Sequence, residues 1–189
     1  MLNAALIAGH FPLGIALSGG SDSTALLVLA VDAFGCSNVQ AVTIDHGLRR
    51  EAALEAQAAA DLCAALGVRH DTVTLTLKDG SSLQARARDA RYDALCEWAL
   101  SRQIGAIALG HTRDDVAETF LMRLARGSGV DGLAQMPERF ERLGTCFLRP
   151  LLQTSRCDLQ AVLKTRGIAW STDPSNKDPR FARVQMREA

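Results

Sequence analysis

Apolar and polar positions alternate along the chain with two periods. Short aliphatic or β-branched runs at Leu13 to Leu17, Val39 to Ile44, Thr72 to Leu77 and Ala106 to Leu109 read as strands. Between them, apolar residues every three or four positions predict helices near Asp22 to Ala33, Arg50 to Leu66 and Ser82 to Gln103. In the last of these, Leu83, Ala87, Ala90, Ala94 and Trp98 predict the buried stripe. Beyond Gly127 the pattern loosens into a strand pair around Arg139 to Leu148, a helix from Ser155 to Arg166, and a polar, proline-punctuated loop from Thr172 to Arg180. The βαβαβαβ alternation implies right-handed crossovers. It therefore predicts an α/β fold: a doubly wound, Rossmann-like parallel sheet of about five strands with helices on both faces.

A length of 189 residues suits one domain, 1–189, able to bury a core without covalent or metal clips. Five cysteines, Cys36, Cys63, Cys96, Cys146 and Cys157, show no CxxC or Cys/His spacing, so neither a disulfide framework nor a zinc site is expected. The apolar N-terminus lacks a basic flank and is interrupted by Gly9, His10, Pro12 and Gly14, which argues against a signal peptide or membrane span. A soluble, cytoplasmic protein is expected. Net charge is zero, but residues 111–189 hold 13 Lys+Arg against 10 Asp+Glu, whereas 1–110 hold 8 against 11. The second half leans basic, and 18 of the 21 basic residues are arginine, the side chain suited to bidentate phosphate recognition.

The first strand breaks into Ser18-Gly19-Gly20-Ser21-Asp22-Ser23-Thr24 and the chain resumes as helix. In an open parallel sheet ligands bind beyond the carboxyl ends of the strands, which is where this string lies. The two glycines permit a sharp turn and close backbone approach, Ser21 and Asp22 are strong N-cap types, and a helix N-terminus favours an anion. The string is neither Walker A nor GxGxxG. Without a loop lysine, a magnesium ion, with Asp22 as candidate ligand, and remote arginines must neutralise a bound polyphosphate. Asp45 and His46 end the second strand, where the adenosine of a nucleotide held at the first loop belongs. His111, Asp114, Asp115 and Glu118 cluster at the end of the fourth strand and the start of its helix, Asp115 and Glu118 sharing a face. First-turn acids also serve as helix caps.

The string Ser18 to Thr24 resembles the pyrophosphate-binding loop of the N-type ATP pyrophosphatases. Together with "IDHGLR", "QARARDARYDAL", "GHTRDDVAETFLMRLARGSGVDGLAQM", "RPLL" and "DPSNKDPRFAR", it resembles the bacterial tRNA(Ile)-lysidine synthases over about Ile15 to Arg187. The resemblance implies a ligase that uses ATP to adenylate the first anticodon cytidine of an isoleucine tRNA with a CAU anticodon, then joins free L-lysine to it, releasing AMP and pyrophosphate. It implies ATP at Ser18 to Thr24 with Asp45 and His46, catalysis at His111, Asp114, Asp115 and Glu118, and tRNA phosphates at Arg123, Arg126, Arg183 and Arg187, with Arg149 and Arg180 as further candidates. It also implies that the C-terminal tRNA-binding domains of the family lie outside this chain. Phe181, Arg183 and Arg187 fit the family's Phe-x-Arg-Asn-x-Ile-Arg pattern, whereas Val184 and Met186 replace its Asn and Ile. Arg88, Arg91 and Tyr92 match a family string but also suit the exposed side of a helix, and Trp98 and Trp170 read as packing residues. A homodimer stays open beside a monomer. Two alternatives share the fold: a tRNA thiolase, which needs a reactive cysteine or iron–sulfur cluster, and a non-catalytic ATP-binding module.

Overall fold

The computed structural model describes residues 1–45, 50–75, 83–125, 127 and 136–171. A short helix, α1 (Ala4–Ile7), precedes β1 (Leu13–Ala16) and α2 (Ser21–Phe34); β2 (Val39–Asp45), α3 (Arg50–Ala65) and β3 (Arg69–Thr74) follow. The chain continues through α4 (Leu83–Ser101), β4 (Ala106–Ala108), α5 (Arg113–Ala125), β5 (Arg139–Arg142), β6 (Thr145–Leu148) and α6 (Arg156–Thr165). The sheet order is β3-β2-β1-β4-β6-β5. All neighbours are parallel except β5 and β6, which form an antiparallel hairpin.

The expected doubly wound architecture is present, with six strands rather than about five. The additional strand arises because β6 joins β4 in parallel and β5 then extends the edge. Strand β3 starts three residues earlier than its apolar run suggests. Arg69, His70 and Asp71 pair with Gln40, Ala41 and Val42 of β2, and His70 Nε2 lies 2.9 Å from Thr43 Oγ1. An edge strand tolerates polar residues that a hydrophobicity pattern passes over. Thr76 and Leu77, the last residues expected in that strand, and the expected loop from Thr172 to Arg180 lie outside the described residues.

Alternation along the strands sorts side chains to the two faces. Leu13, Ile15 and Leu17 of β1 and its extension, with Ala106, Ala108 and Leu148, join Leu26, Leu27, Cys63, Leu159 and Leu163 from α2, α3 and α6. Ala16, Val42, Ile107 and Phe147 point the other way, onto Tyr92, Leu95, Cys96, Trp98 and Ala99 of α4. The packed stripe of α4 is thus rotated from the expected one: Ala94 and Trp98 are buried, but Ala87 and Ala90 are only partly so. Trp98 Nε1–H donates to Asp71 Oδ2 at 2.8 Å, beside a bidentate Arg102–Asp71 pair that ties the end of α4 to the edge strand. Among the described residues no helix is long and apolar enough to cross a membrane.

Candidate active site

Strand order reverses between β1 and β4, because the chain runs outward from β1 to β3 and returns on the other side of β1. The loops leaving the two strands must diverge there, opening a crevice at their carboxyl ends. The crevice is a cleft of about 400 Å³, lined on one wall by Ser18, Gly20, Ser21, Asp22 and Ser23 and on the other by Gly110, His111 and Asp115. Both walls meet at Gly110. A Cβ there would sit 2.9 Å from Ser23 N and 3.0 Å from Ser23 Cα, so the loop after β4 lies directly against the first turn of α2.

The glycine loop is braced from within. Ser23 Oγ accepts from the Ser18 N–H at 3.1 Å, lies 3.0 Å from Ser18 Oγ and donates to Gly20 O at 3.2 Å. Gly19 takes φ +79°, a conformation side chains disfavour, and its carbonyl accepts from the Ser171 N–H at 2.9 Å. Helix α2 begins at Ser21 with Gly20 as N-cap, so Ser21 and Asp22 are first-turn residues rather than caps, and the N-cap residue supplies no side-chain acceptor to the first N–H groups. First-turn N–H groups without a side-chain cap are available to an anion. Thr24 is buried on the opposite side, in an apolar recess shared with Leu17, Leu54 and Trp170.

The acidic cluster has two functions. Thr112 and Asp115 form a capping box: Asp115 Oδ2 accepts from the Thr112 N–H at 2.8 Å and from its hydroxyl at 2.9 Å, and Thr112 Oγ1 accepts from the Asp115 N–H at 3.4 Å. The other Asp115 oxygen faces Arg156. That guanidinium, which the sequence reading did not single out, draws together Asp22 Oδ2 at 2.8 Å, Asp115 Oδ1 at 3.3 Å and Glu118 Oε1 at 3.5 Å. All four side chains are less than a quarter exposed. Asp114 turns aside and accepts from the Arg156 N–H at 2.8 Å, at the first turn of α6.

His111 and two further arginines complete the far wall. Burial pushes the His111 pKa down to about 4, with Arg149, Arg91 and Arg88 adding to the effect and Asp115 opposing it, so the imidazole is neutral near pH 7. Arg91, half-buried, lines the cleft rather than an exposed helix side; burial lowers its pKa, and among the described residues it has no carboxylate partner. Tyr92 packs edge-on against Phe140 and Phe147, as a core residue does. Arg149 is buried, stacked 4.3 Å from the Phe140 centroid, with its Nε–H donating to His111 Nδ1 at 3.3 Å and Nη1–H to Pro137 O at 2.6 Å. So placed, it does not serve as a surface phosphate contact. Trp170 and Ser171 close the cleft beside the glycine loop, Ser171 Oγ donating to Glu55 Oε1 at 2.9 Å.

Asp45 ends β2 one strand over, outside the cleft lining, and Arg123 is half-buried near the end of α5. His46, Arg126, Arg180, Arg183 and Arg187 lie outside the described residues. Among the described residues no group of three or more His, Cys, Asp or Glu side chains could hold a metal ion. The physical reason is Arg156, which occupies the point on which the three carboxylates converge.

Comparison with known proteins gives three findings. The profile of the PP-loop domain family matches residues 3–189. Proteins named tRNA(Ile)-lysidine synthase are similar: one from Ruegeria pomeroyi is 47% identical over 180 residues, covering 94% of this chain and 43% of its own length. Another, from Zymomonas mobilis subsp. mobilis, is 46% identical over 181 residues, covering 93% of this chain and 54% of its own. The chain thus spans about half the length of these curated relatives. Among solved structures, a U34-tRNA thiolase from Methanococcus maripaludis with its [4Fe-4S] cluster superposes with a TM-score of 0.78 at 18% identity, covering 99% of this chain and 67% of that one. An NH3-dependent NAD synthetase from Campylobacter jejuni superposes at 0.58 with 15% identity, over 98% of this chain and 86% of that one. At such identities these two share the fold.

Proposed function

Starting from a chain that belongs to the PP-loop domain family, we propose that it is the ATP-using catalytic part of a tRNA(Ile)-lysidine synthase. It adenylates the first anticodon cytidine of an isoleucine tRNA with a CAU anticodon and couples free L-lysine to it. The carrying observation is the joining of a braced, uncapped helix N-terminus to a carboxylate–guanidinium cluster across one 400 Å³ cleft.

The first step needs the cytidine carbonyl oxygen to attack the α-phosphorus while pyrophosphate leaves. The N–H groups at Ser21 to Ser23 and the Ser18 and Ser21 hydroxyls line the cleft where the β- and γ-phosphates would rest. Each charge-assisted hydrogen bond is worth about 1.5–3 kcal/mol net, so four or five discriminate strongly for a polyphosphate. Arg91, lacking a carboxylate partner among the described residues, supplies a cation to the same charge. Magnesium brought with ATP would further neutralise the polyphosphate; Asp22, the carboxylate beside the loop, would have to release Arg156 or the Ser21 hydroxyl to hold it. Neutral His111 contributes a hydrogen bond without adding charge.

The second step needs a neutral lysine amine. With a pKa of about 10.4, bringing that amine to its free-base form at pH 7.4 costs about 4 kcal/mol. Asp115, which lines the cleft, presents a carboxylate that can bind the ammonium and accept its proton, while Arg156 holds it in place and Glu118 is buried against the same guanidinium. The amine then attacks the activated cytidine carbon and AMP departs.

A thiolase is disfavoured by placement: no cysteine lines the described cleft, and burial pushes the Cys63 thiol up to about 12. Incubation with labelled lysine, ATP and the isoleucine tRNA transcript tests the reading. Lysine incorporation with stoichiometric AMP is expected; ATP bound without AMP formation would point to a nucleotide-sensing module instead.

A further inference from the structure

Arg149 stands apart from Arg102 and Arg156, each of which is neutralised by carboxylates. It is 7% exposed and pairs with no carboxylate among the described residues. Its guanidinium is engaged internally on several sides, with the Tyr92 hydroxyl also among its hydrogen-bond neighbours. The plane lies over the Phe140 ring at 4.3 Å, Nη1–H bonds Pro137 O at 2.6 Å, and Nε–H reaches His111 Nδ1 at 3.3 Å. Its own backbone N–H bonds Glu138 O at 2.8 Å, so side chain and main chain are pinned to the same segment leading into β5. A guanidinium has donors only. A ring nitrogen that receives an N–H from it must present a lone pair, and in a neutral imidazole the proton is then on the other nitrogen.

We propose that Arg149 is a positioning residue for His111, holding the imidazole as the Nε2–H tautomer with its remaining N–H available to the phosphate cleft. The inference deepens the reading given above, because the value of that N–H rests on the cleft receiving a nucleotide or its adenylated product. Protonation would require Nδ1 to give up its lone pair to a hydrogen pointed at a cation. The charged groups that face the ring are consistent with this. Arg149 approaches from the turn after β6, Arg88 and Arg91 lie on α4, and Asp115 on α5 is the single opposing charge named among them. The resulting donor keeps one protonation state across the working range of pH and adds no positive charge that would compete with the arginine and magnesium for the phosphates.

The test is long-range ¹H–¹⁵N correlation of the imidazoles in the free protein. The chain has four histidines, His10, His46, His70 and His111, so the His111→Gln spectrum assigns the signal. In the wild type the expected result is an unprotonated Nδ1, a protonated Nε2 and no titration between pH 5 and 8. Arg149→Met should raise the His111 midpoint by at least one unit towards 6.5 and give a mixture of tautomers. Arg149→Lys, which keeps the charge but loses the planar Nε–H, should leave the midpoint lowered while releasing the tautomer. In the lysine-incorporation assay the acid limb of kcat should move up in pH in Arg149→Met, which a merely structural role would not produce. A wild-type His111 that titrates near 6.5 or carries its proton on Nδ1 overturns the inference, even if Arg149→Met does not fold. An unchanged tautomer and midpoint in a folded Arg149→Met overturns it too. The spectra need no substrate, so a failure of lysine incorporation alone counts against the proposed function and leaves the tautomer result standing.

Discussion

Replacing Arg156 by methionine tests the electrostatic centre of the site. The guanidinium contacts carboxylates from α2 and α5 at 2.8, 3.3 and 3.5 Å, and its backbone N–H is held by Asp114. At an effective dielectric of about 20, one such contact near 3 Å is worth about 5 kcal/mol gross, most of which desolvation offsets. Breaking a buried pair by deleting one partner nonetheless costs about 3–5 kcal/mol, because the remaining charges stay in the low-dielectric site. Arg156 is 22% exposed and the carboxylates 8–18%, so water relieves part of this and the low end, about 3 kcal/mol, is expected. For a urea slope of about 2 kcal/mol/M the unfolding midpoint at pH 7.5 should fall by about 1.5 M. Adding Asp22→Asn to the variant should recover at least about 1 kcal/mol, as expected for directly coupled charges. A midpoint shift below about 0.3 M, or no recovery on adding Asp22→Asn, would show that Arg156 does not carry these carboxylates.

Three other outcomes follow from the same structure. Gly110→Ala places a methyl 2.9 Å from the Ser23 backbone nitrogen, where neither backbone can yield cheaply; a loss of about 1–3 kcal/mol and at least about tenfold weaker ATP binding are expected, and unchanged melting and nucleotide affinity would refute the contact. Burial alone would raise the Asp71 pKa, but hydrogen bonds from Trp98 and Arg102 outweigh it and hold the carboxyl below its ordinary range. Its stabilisation is therefore full above the unfolded value near 3.9 and lost as pH falls through the folded value, so Asp71→Asn should cost about 1–2 kcal/mol at pH 7 and little in strong acid, read by urea unfolding at both pH values. Exposed Cys36 and Cys157 should react with a maleimide well before buried Cys63, whose thiol burial deactivates, and peptide mapping that found Cys63 labelled first in native protein would contradict its placement.

What could be read from the chain divides along physical lines. Local signals were sufficient for the helices of the two core layers and for the glycine loop, because periodicity and turn chemistry are short-range properties. The Thr112–Asp115 box spans three residues and was visible as acids in a first turn. Arg156 was not, since its carboxylate partners Glu118, Asp115 and Asp22 lie far back along the chain and no spacing rule links α6 to α5 or α2. Arg149 was misplaced for a related reason: an arginine beside a proline reads as surface until an aromatic hairpin closes over it. The polar start of β3 escaped because strand pairing there is made by backbone and by Thr43–His70, not by an apolar run.

Helix α6 is the last described element in chain order, and it carries the counter-ion for acids placed much earlier. As the polypeptide leaves the ribosome, Asp22, Asp115 and Glu118 emerge before their guanidinium, and the Ser171 N–H that holds the Gly19 carbonyl emerges later still. A nascent chain halted before residue 156 thus carries three acids without their counter-ion and lacks Leu159 and Leu163, which fill one face of the core. Competence arrives late, with α6 and the segment after it, so truncation or stalling near residue 156 should yield a destabilised and inert species rather than a partially active one.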